Sequence, residues 1–318
     1  MDEAALYGEA TVPLGWGIGV TAGGRLFGST DVVTSVDTSF LAKTSAPYSG
    51  SVSQAGFTPK FVISKRVSDT VLLYLQAAEG YRGPGINTAA APTENFSDEP
   101  GQQPQRTYQG DDLWTYEFGT KLTALNGHLR LNLAGFETKW RHVQSDQLLP
   151  SGIPYTANVG DGRNIGLEAE GAFRSGPFRI SADMLINDPE LQNVNAAFAT
   201  LDQSSLGDIP SESIGLSAHY SWPLGEHFNF ALDGHAAYVG PSTLMLNIAK
   251  AQSMGAYGTG RLAASIASDH WRWVLAVDNP ANVAGNTFAF GNPFTIRFRP
   301  QSTPLRPRTL TLSVEASF

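Results

Sequence analysis

From Ser213 to Tyr238 the sequence switches between polar and apolar at nearly every residue. Ile214, Leu216, Ala218, Tyr220, Trp222 and Leu224 fall on one side of an extended chain, and Ser213, Gly215, Ser217, His219 and Ser221 fall on the other. Beyond Leu224-Gly225-Glu226-His227, the residues Phe228, Phe230, Leu232, Gly234, Ala236 and Tyr238 oppose His227, Asn229, Ala231, Asp233 and His235. Phe178, Ile180, Ala182, Met184 and Ile186 alternate with Arg179, Ser181, Asp183 and Asn187, and Ile165, Leu167, Ala169 and Phe173 with Asn164, Glu168, Glu170 and Arg174. The last residues repeat the pattern, with Leu310, Leu312, Val314, Ala316 and Phe318 on one face. A helix would scatter each of these sets around its axis. A strand with one apolar face needs that face covered and both edges paired.

Composition selects the cover. Only 16% of the 318 residues are charged, too few to coat a large soluble surface, yet the mean hydropathy of -0.15 is far too polar for a bundle of membrane helices. No apolar run approaches the roughly 18 residues a membrane helix needs. Residue-by-residue alternation reconciles these facts if lipid covers the apolar face and a closed barrel pairs the edges. A net charge of -8 offers no basic stripe for nucleic acid. The absence of cysteine removes disulfides, thiol nucleophiles and thiolate metal sites. The opening Met1-Asp2-Glu3-Ala4-Ala5 lacks the basic and apolar regions of a signal peptide.

The connectors alternate as well. Tight turns are expected at Pro13 to Trp16, Val67 to Thr70, Leu125 to His128, Arg174 to Pro177, Leu224 to His227 and Ser268 to His270, with Asn126-Gly127 the strongest hairpin signal. Long polar connectors are expected at roughly 28–52, 84–112, 144–156, 190–212, 240–253 and 283–304. Short turns at one end and long loops at the other are the pattern of an outer-membrane barrel, whereas a soluble sandwich does not sort its loops by length. The fold expected is therefore all-β, a transmembrane antiparallel β-barrel with about thirteen strands in this chain. Tyr220, Trp222, Trp271 and Trp273 stand beside tight turns on the lipid face, where an aromatic membrane girdle belongs. At Leu133 to Phe136 the apolar face switches sides, which a β-bulge or a misplaced strand would explain.

Barrels can be enzymes. His219, His227, Asp233 and His235 lie near serines, but His227, Asp233 and His235, which share one strand face, are spread along the wall at two-residue steps, and no catalytic motif stands out. No catalytic residue is assigned. Asp111-Asp112 and Asp161-Gly162 lack the regular ligand spacing of a calcium loop, so no metal or cofactor is expected.

Several stretches, in order, resemble the C-terminal barrel of TonB-dependent outer-membrane receptors. They are Phe57-Thr58-Pro59-Lys60-Phe61-Val62-Ile63-Ser64-Lys65-Arg66 turning at Ser68-Asp69 into Leu72 to Gly85; Tyr116-Glu117-Phe118-Gly119-Thr120-Lys121 with Asn126-Gly127; Tyr155 to Arg163 followed by Gly166-Leu167-Glu168-Ala169-Glu170; Val277-Asp278-Asn279-Pro280; and Arg306-Pro307-Arg308-Thr309. The resemblance covers residues 50–318. It implies the outer membrane of a bacterium, outer-membrane lipid as surroundings, and uptake of a scarce solute such as a siderophore, cobalamin or an oligosaccharide. It also implies two partners: a TonB-type energy-transducing complex, and the barrel-assembly machinery, which would read the terminal Phe318.

Such receptors have a signal peptide, a coupling box, a plug and a barrel of about 22 strands. The whole of residues 1–318 is accordingly expected to be the C-terminal portion of one such barrel, a fragment without plug, coupling box or signal peptide. By the same resemblance, substrate contact is expected at Tyr81, Arg82, Asn87 and Trp114 and at the lumen residues Arg179, Asp183, Asp233, His235 and Arg261. The substrate itself is left open, since a lumen with both signs of charge selects none. A passive pore or a barrel hydrolase of about a dozen strands is the alternative, and a soluble β-rich binding module the third.

Overall fold

Each of thirteen strands hydrogen-bonds to the next in sequence, and every neighbouring pair is antiparallel. They are β1 (Asp2–Gly15), β2 (Ile18–Ser39), β3 (Thr44–Ser68), β4 (Val71–Arg82), β5 (Asp111–Ala124), β6 (Leu129–Arg141), β7 (Asp161–Ser175), β8 (Phe178–Gln192), β9 (Glu212–Leu224), β10 (Phe228–Val239), β11 (Tyr257–Ala267), β12 (Trp271–Asp278) and β13 (Thr309–Ala316). This computed structural model describes residues 1–39, 44–88, 106–148, 152–198, 205–244, 252–288, 291–292, 294–296 and 298–317. Among them β1 and β13 are each paired on one side only. Phe318 lies outside the described residues.

Six tight turns lie at one end of the sheet, five where the sequence places them and the first at Trp16-Gly17, just past the expected Pro13 to Trp16, because β1 runs on to Gly15. At the β5–β6 turn Leu125, Asn126 and Gly127 have φ of 52°, 54° and 88°, the left-handed conformation that Asn and Gly adopt most readily. At the other end the long connectors roll into small two-stranded hairpins, Gly85–Ile86 with Thr107–Tyr108, Gln144–Leu148 with Pro154–Asn158, Ser242–Leu244 with Gln252–Met254, and Asn286–Phe288 with Thr303–Pro304.

Two expectations fail. The connector placed at about 28–52 is strand over residues 28–39 and 44–52, with 40–43 outside the described residues: β2 and β3 stay in register from Ile18–Lys65 through Ser39–Thr44. The β-branched residues Val32, Val33, Thr34 and Val36 supply strand propensity without bulk, which a search for large apolar residues passes over. At about 3.3 Å per residue β2 is more than twice as long as a hydrocarbon core of about 30 Å is thick. Nor is there a bulge at Leu133 to Phe136, because β6 keeps one register with β5 and β7 throughout. Gly135 takes the outward position between Phe118 and Leu167, and Phe136 turns inward over Gly166, where a Cβ would meet its ring at 2.6 Å.

The two faces differ in kind. Leu167, Leu262, Leu312 and most other large apolar residues of the wall are on the outward face and exposed, 61%, 54% and 67% respectively. An apolar surface this continuous is far larger than soluble monomers show. The apolar residues that are buried sit mainly in the long connectors. Val143, Val159, Leu191, Phe198 and Leu206 form one cluster with Trp140 packed on it, and Leu148, Leu244, Met254 and Ile296 form another. Leu148 follows β6 and Ile296 follows β12, and on a flat sheet those strands would stand about 29 Å apart. Their contact requires the wall to curl and its loops to converge over the concave side.

Candidate functional site

The concave face carries the polar half of each strand, and its charges are sorted by height. Nearest the tight turns, register aligns Arg174 with Arg179, Arg179 with His219 and His219 with Asp233. Two residues higher, Ser181, Ser217, His235 and Arg261 form the next row, with Arg130 opposite Ala172 beside them. Above these, Glu117, Glu168, Glu170 and Asp183 face the lumen with Lys121 among them.

In the lower rows the side chains pair across strands. His219 Nδ1 is 2.7 Å from Asp233 Oδ1, Ser217 Oγ is 3.0 Å from His235 Nδ1, and Arg261 Nη1 donates to both oxygens of Asp278 at 2.8 and 2.9 Å. The serine and the aspartate thus engage different histidines. Among the described residues no carboxylate orients His235, and the nucleophile, base and orienter of a hydrolase are not assembled there. Arg130, Arg174, Arg179 and Arg261, with a single aspartate, line a cavity of ≈ 570 Å³ on this wall.

A second concavity of ≈ 900 Å³ opens at the long-loop end, lined by Tyr108, Gln109, Asn158, Asn193 and Asn195 among others. Its frame hangs on Asp111, whose side chain is 2% exposed. The carboxylate accepts from Arg82 Nε and Nη2, from Trp140 Nε1 at 2.9 Å and from the Gln144 backbone N–H at 3.3 Å, and the Arg82 guanidinium lies 5.0 Å above the Trp140 ring. Three strand ends and a loop hairpin are tied at one point. Asp161, at the loop end of β7, accepts from the His142 backbone N–H and from Asn193 Nδ2, both at 3.0 Å. Burial acts to raise that carboxyl, but these hydrogen bonds and the nearby basic side chains outweigh it and hold it below its ordinary value. Asp208, in the connector after β8, is pushed up by burial and by the facing Asp146.

The residues expected to meet substrate separate into groups. Arg179, Asp233, His235 and Arg261 come together, but beside the tight turns rather than in the upper lumen, and Asp183 lies above them over Gly215. Tyr81 and Arg82 reach the long-loop end, Tyr81 stacked on Phe27 at 3.5 Å between centroids with its hydroxyl 3.4 Å from Glu3, and Arg82 held by Asp111. Asn87 is 7% exposed, and its amide spends both ends on the Thr156 backbone at 2.9 and 2.8 Å. Trp114 shares its strand face with Tyr116 and Phe118, and stacks on Tyr116 at 5.9 Å, so it belongs to the outward surface. Its position two residues from Tyr116 was the parity signal for this.

Tyr220, Trp222, Trp271 and Trp273 are outward beside the tight turns, and Phe173, Phe178, Tyr220, Trp222 and Phe230 form a chain of ring contacts with centroids 4.5 to 6.5 Å apart. Asp111 and Asp112, weighed for calcium, engage Arg82 and Arg141 instead. No three His, Asp or Glu side chains converge among the described residues.

A sequence model of the TonB dependent receptor-like, beta-barrel family matches residues 1–279. Among solved structures, the chain is similar to the ferric yersiniabactin uptake receptor FyuA from Yersinia pestis, with a TM-score of 0.80 and 17% identity over 99% of this chain and 45% of that one. The ferric-catecholate import receptor Fiu from E. coli K12 gives 0.71 and 17% over 99% and 44%, and the copper transporter OprC 0.72 and 13% over 99% and 48%. At such identities the likeness speaks for the fold. The chain spans a little under half the length of these receptors.

Proposed function

Because the chain belongs to the TonB-dependent receptor β-barrel family, we propose that its thirteen strands serve as wall in an outer-membrane receptor that imports a scarce solute, with energy supplied by a TonB-type inner-membrane partner. The observation that carries this is the inversion of the sheet. Large apolar side chains are exposed on the convex face, polar ones line the concave face, and the loops at one end fold over the opening. That arrangement suits lipid outside, a polar passage inside and a ligand mouth at the long-loop end.

Tyr220, Trp222, Trp271 and Trp273 then stand at the membrane boundary near the tight turns, with Trp114 and Tyr116 at the opposite one. Phe318 serves as the signal for the assembly machinery. Solute meets the mouth around Tyr108, Gln109 and Asn195 before it reaches the lumen wall. Siderophores, cobalamin and oligosaccharides remain the solute classes, and the similar structures, which handle ferric siderophores and copper, make a metal chelate the first to test.

The decisive experiment deletes the gene in its native host and follows uptake of radiolabelled ferric siderophores, cobalamin and oligosaccharides, with and without the energy-transducing complex. Loss of uptake of one solute in both the deletion strain and the energy-uncoupled strain is expected. Uptake of all of them at parental rates in the deletion strain would overturn the reading.

A further inference from the structure

The five long connectors from β4 onward meet at one hairpin. Gln144–Leu148 and Pro154–Asn158, between β6 and β7, pair antiparallel along their whole length. Toward the β4–β5 connector, Gln144 Nε2 donates to the Gly83 and Gln109 carbonyls, both at 2.9 Å, and Asn158 exchanges hydrogen bonds with the Gln109 backbone at 2.8 and 3.1 Å. Toward the β8–β9 connector, the Asn195 N–H donates to the Val159 carbonyl at 2.9 Å, and Val143 and Val159 share a buried cluster with Phe198 and Leu206. Leu148, 1% exposed, is buried instead with Leu244 and Met254 of the β10–β11 connector and Ile296 of the β12–β13 connector.

Three of these connectors are also linked directly. The Asp208 N–H donates to the Thr243 carbonyl at 2.8 Å, and the Gly255 N–H to the Asn286 carbonyl at 3.0 Å. Each cluster is only four or five buried residues, too small a core to stand alone. Opening one exposes apolar surface on the shared hairpin and breaks links that hold the other in place. Segments coupled in this way open together rather than one at a time. Tyr155, Thr156 and Asn158 of the hairpin also line the ≈ 900 Å³ concavity, so the shared element is part of the mouth itself.

We propose that the five connectors form one cooperative cap, which opens and closes over the mouth as a single unit rather than as two independent flaps. No solute or energy supply is required, so the proposal stands or falls separately from transport.

The sequence contains no cysteine, so a single introduced thiol reports alone. Leu206→Cys places one in the first cluster and Met254→Cys one in the second, both at positions buried in the closed cap. The rate of maleimide labelling of the tagged protein, in membranes of cells that express it, measures opening at each. Ile296→Ala, in the second cluster, is expected to speed labelling about tenfold or more at both thiols, by similar factors. Val159→Ala, in the first cluster, should act alike on both. Ile296→Val, a smaller cavity less apt to prevent assembly, should give a smaller acceleration that is again shared. Leu312→Ala, on the outward face of β13, should change neither rate. Acceleration confined to the thiol of the altered cluster would mean two flaps and would overturn the proposal. Equal acceleration by Leu312→Ala would overturn it too, since the wall would then be opening with the cap.

Discussion

Asp111 gathers more hydrogen bonds than any other carboxylate among the described residues, and most of its donors come from elements that are distant in sequence. Replacing it with alanine leaves the Trp140 indole N–H and the Gln144 amide without their acceptor. The expected loss is about 2–3 kcal/mol, below the full cost of breaking a buried pair because Arg82 is half in water. Urea titration of the refolded protein, followed by Trp fluorescence, measures it.

Asp208 makes the opposite contribution. Its folded carboxyl is raised above the ordinary aspartate value of 3.8, so the folded state holds the proton more tightly. Its penalty is full above the raised value and disappears as pH falls toward 3.8. Asp208→Asn should therefore slow amide exchange at Leu206 and at the substituted position itself at neutral pH, and change little in acid. Asp161, held low, stabilises at neutral pH and loses that contribution only as pH falls through its depressed value. These roles were not legible beforehand. An Asp in a polar loop looks the same whether it is a tie point, a strained acid or a solvated one, and Asn87 looked like a ligand contact because nothing local shows that its amide is occupied by Thr156.

Strands were legible because lipid imposes a period. Leu216 and Ser217 are neighbours on β9 that face opposite solvents, which gives a sharp comparison. Leu216→Arg should cost about 2–4 kcal/mol in refolding into lipid vesicles, and Ser217→Arg much less, because only the first puts a charge against hydrocarbon. Equal costs would reverse the assignment of the faces. The connectors impose no period. Val143, Leu148, Val159, Leu191 and Leu206 are spaced irregularly, and only the fold reveals that they share two small cores. Leu206→Ala should lower the stability of that cap by about 2–5 kcal/mol, the cost of a buried leucine cavity, read as faster proteolysis of the loop after β8 in intact vesicles. The far half of the β2–β3 hairpin was missed for a related reason: it is built largely of Ser, Thr and Val, too polar to register as wall.

At the scale of the molecule, thirteen antiparallel strands leave β1 and β13 running in the same direction. An all-antiparallel closure through these two edges takes an odd number of further strands, whatever polypeptide supplies them. The sheet alternation made the number of strands readable, but the curl came from contacts between loops six strands apart, which no single segment encodes. The two buried clusters have one more consequence. They exclude water in the ordinary way of a soluble protein, while the wall below them relies on being surrounded by oil. The molecule thus has two melting points in principle, each governed by a different medium. Stripping the oil should collapse the wall while the cap persists, and chaotropes added to intact vesicles should dissolve the cap while the wall endures.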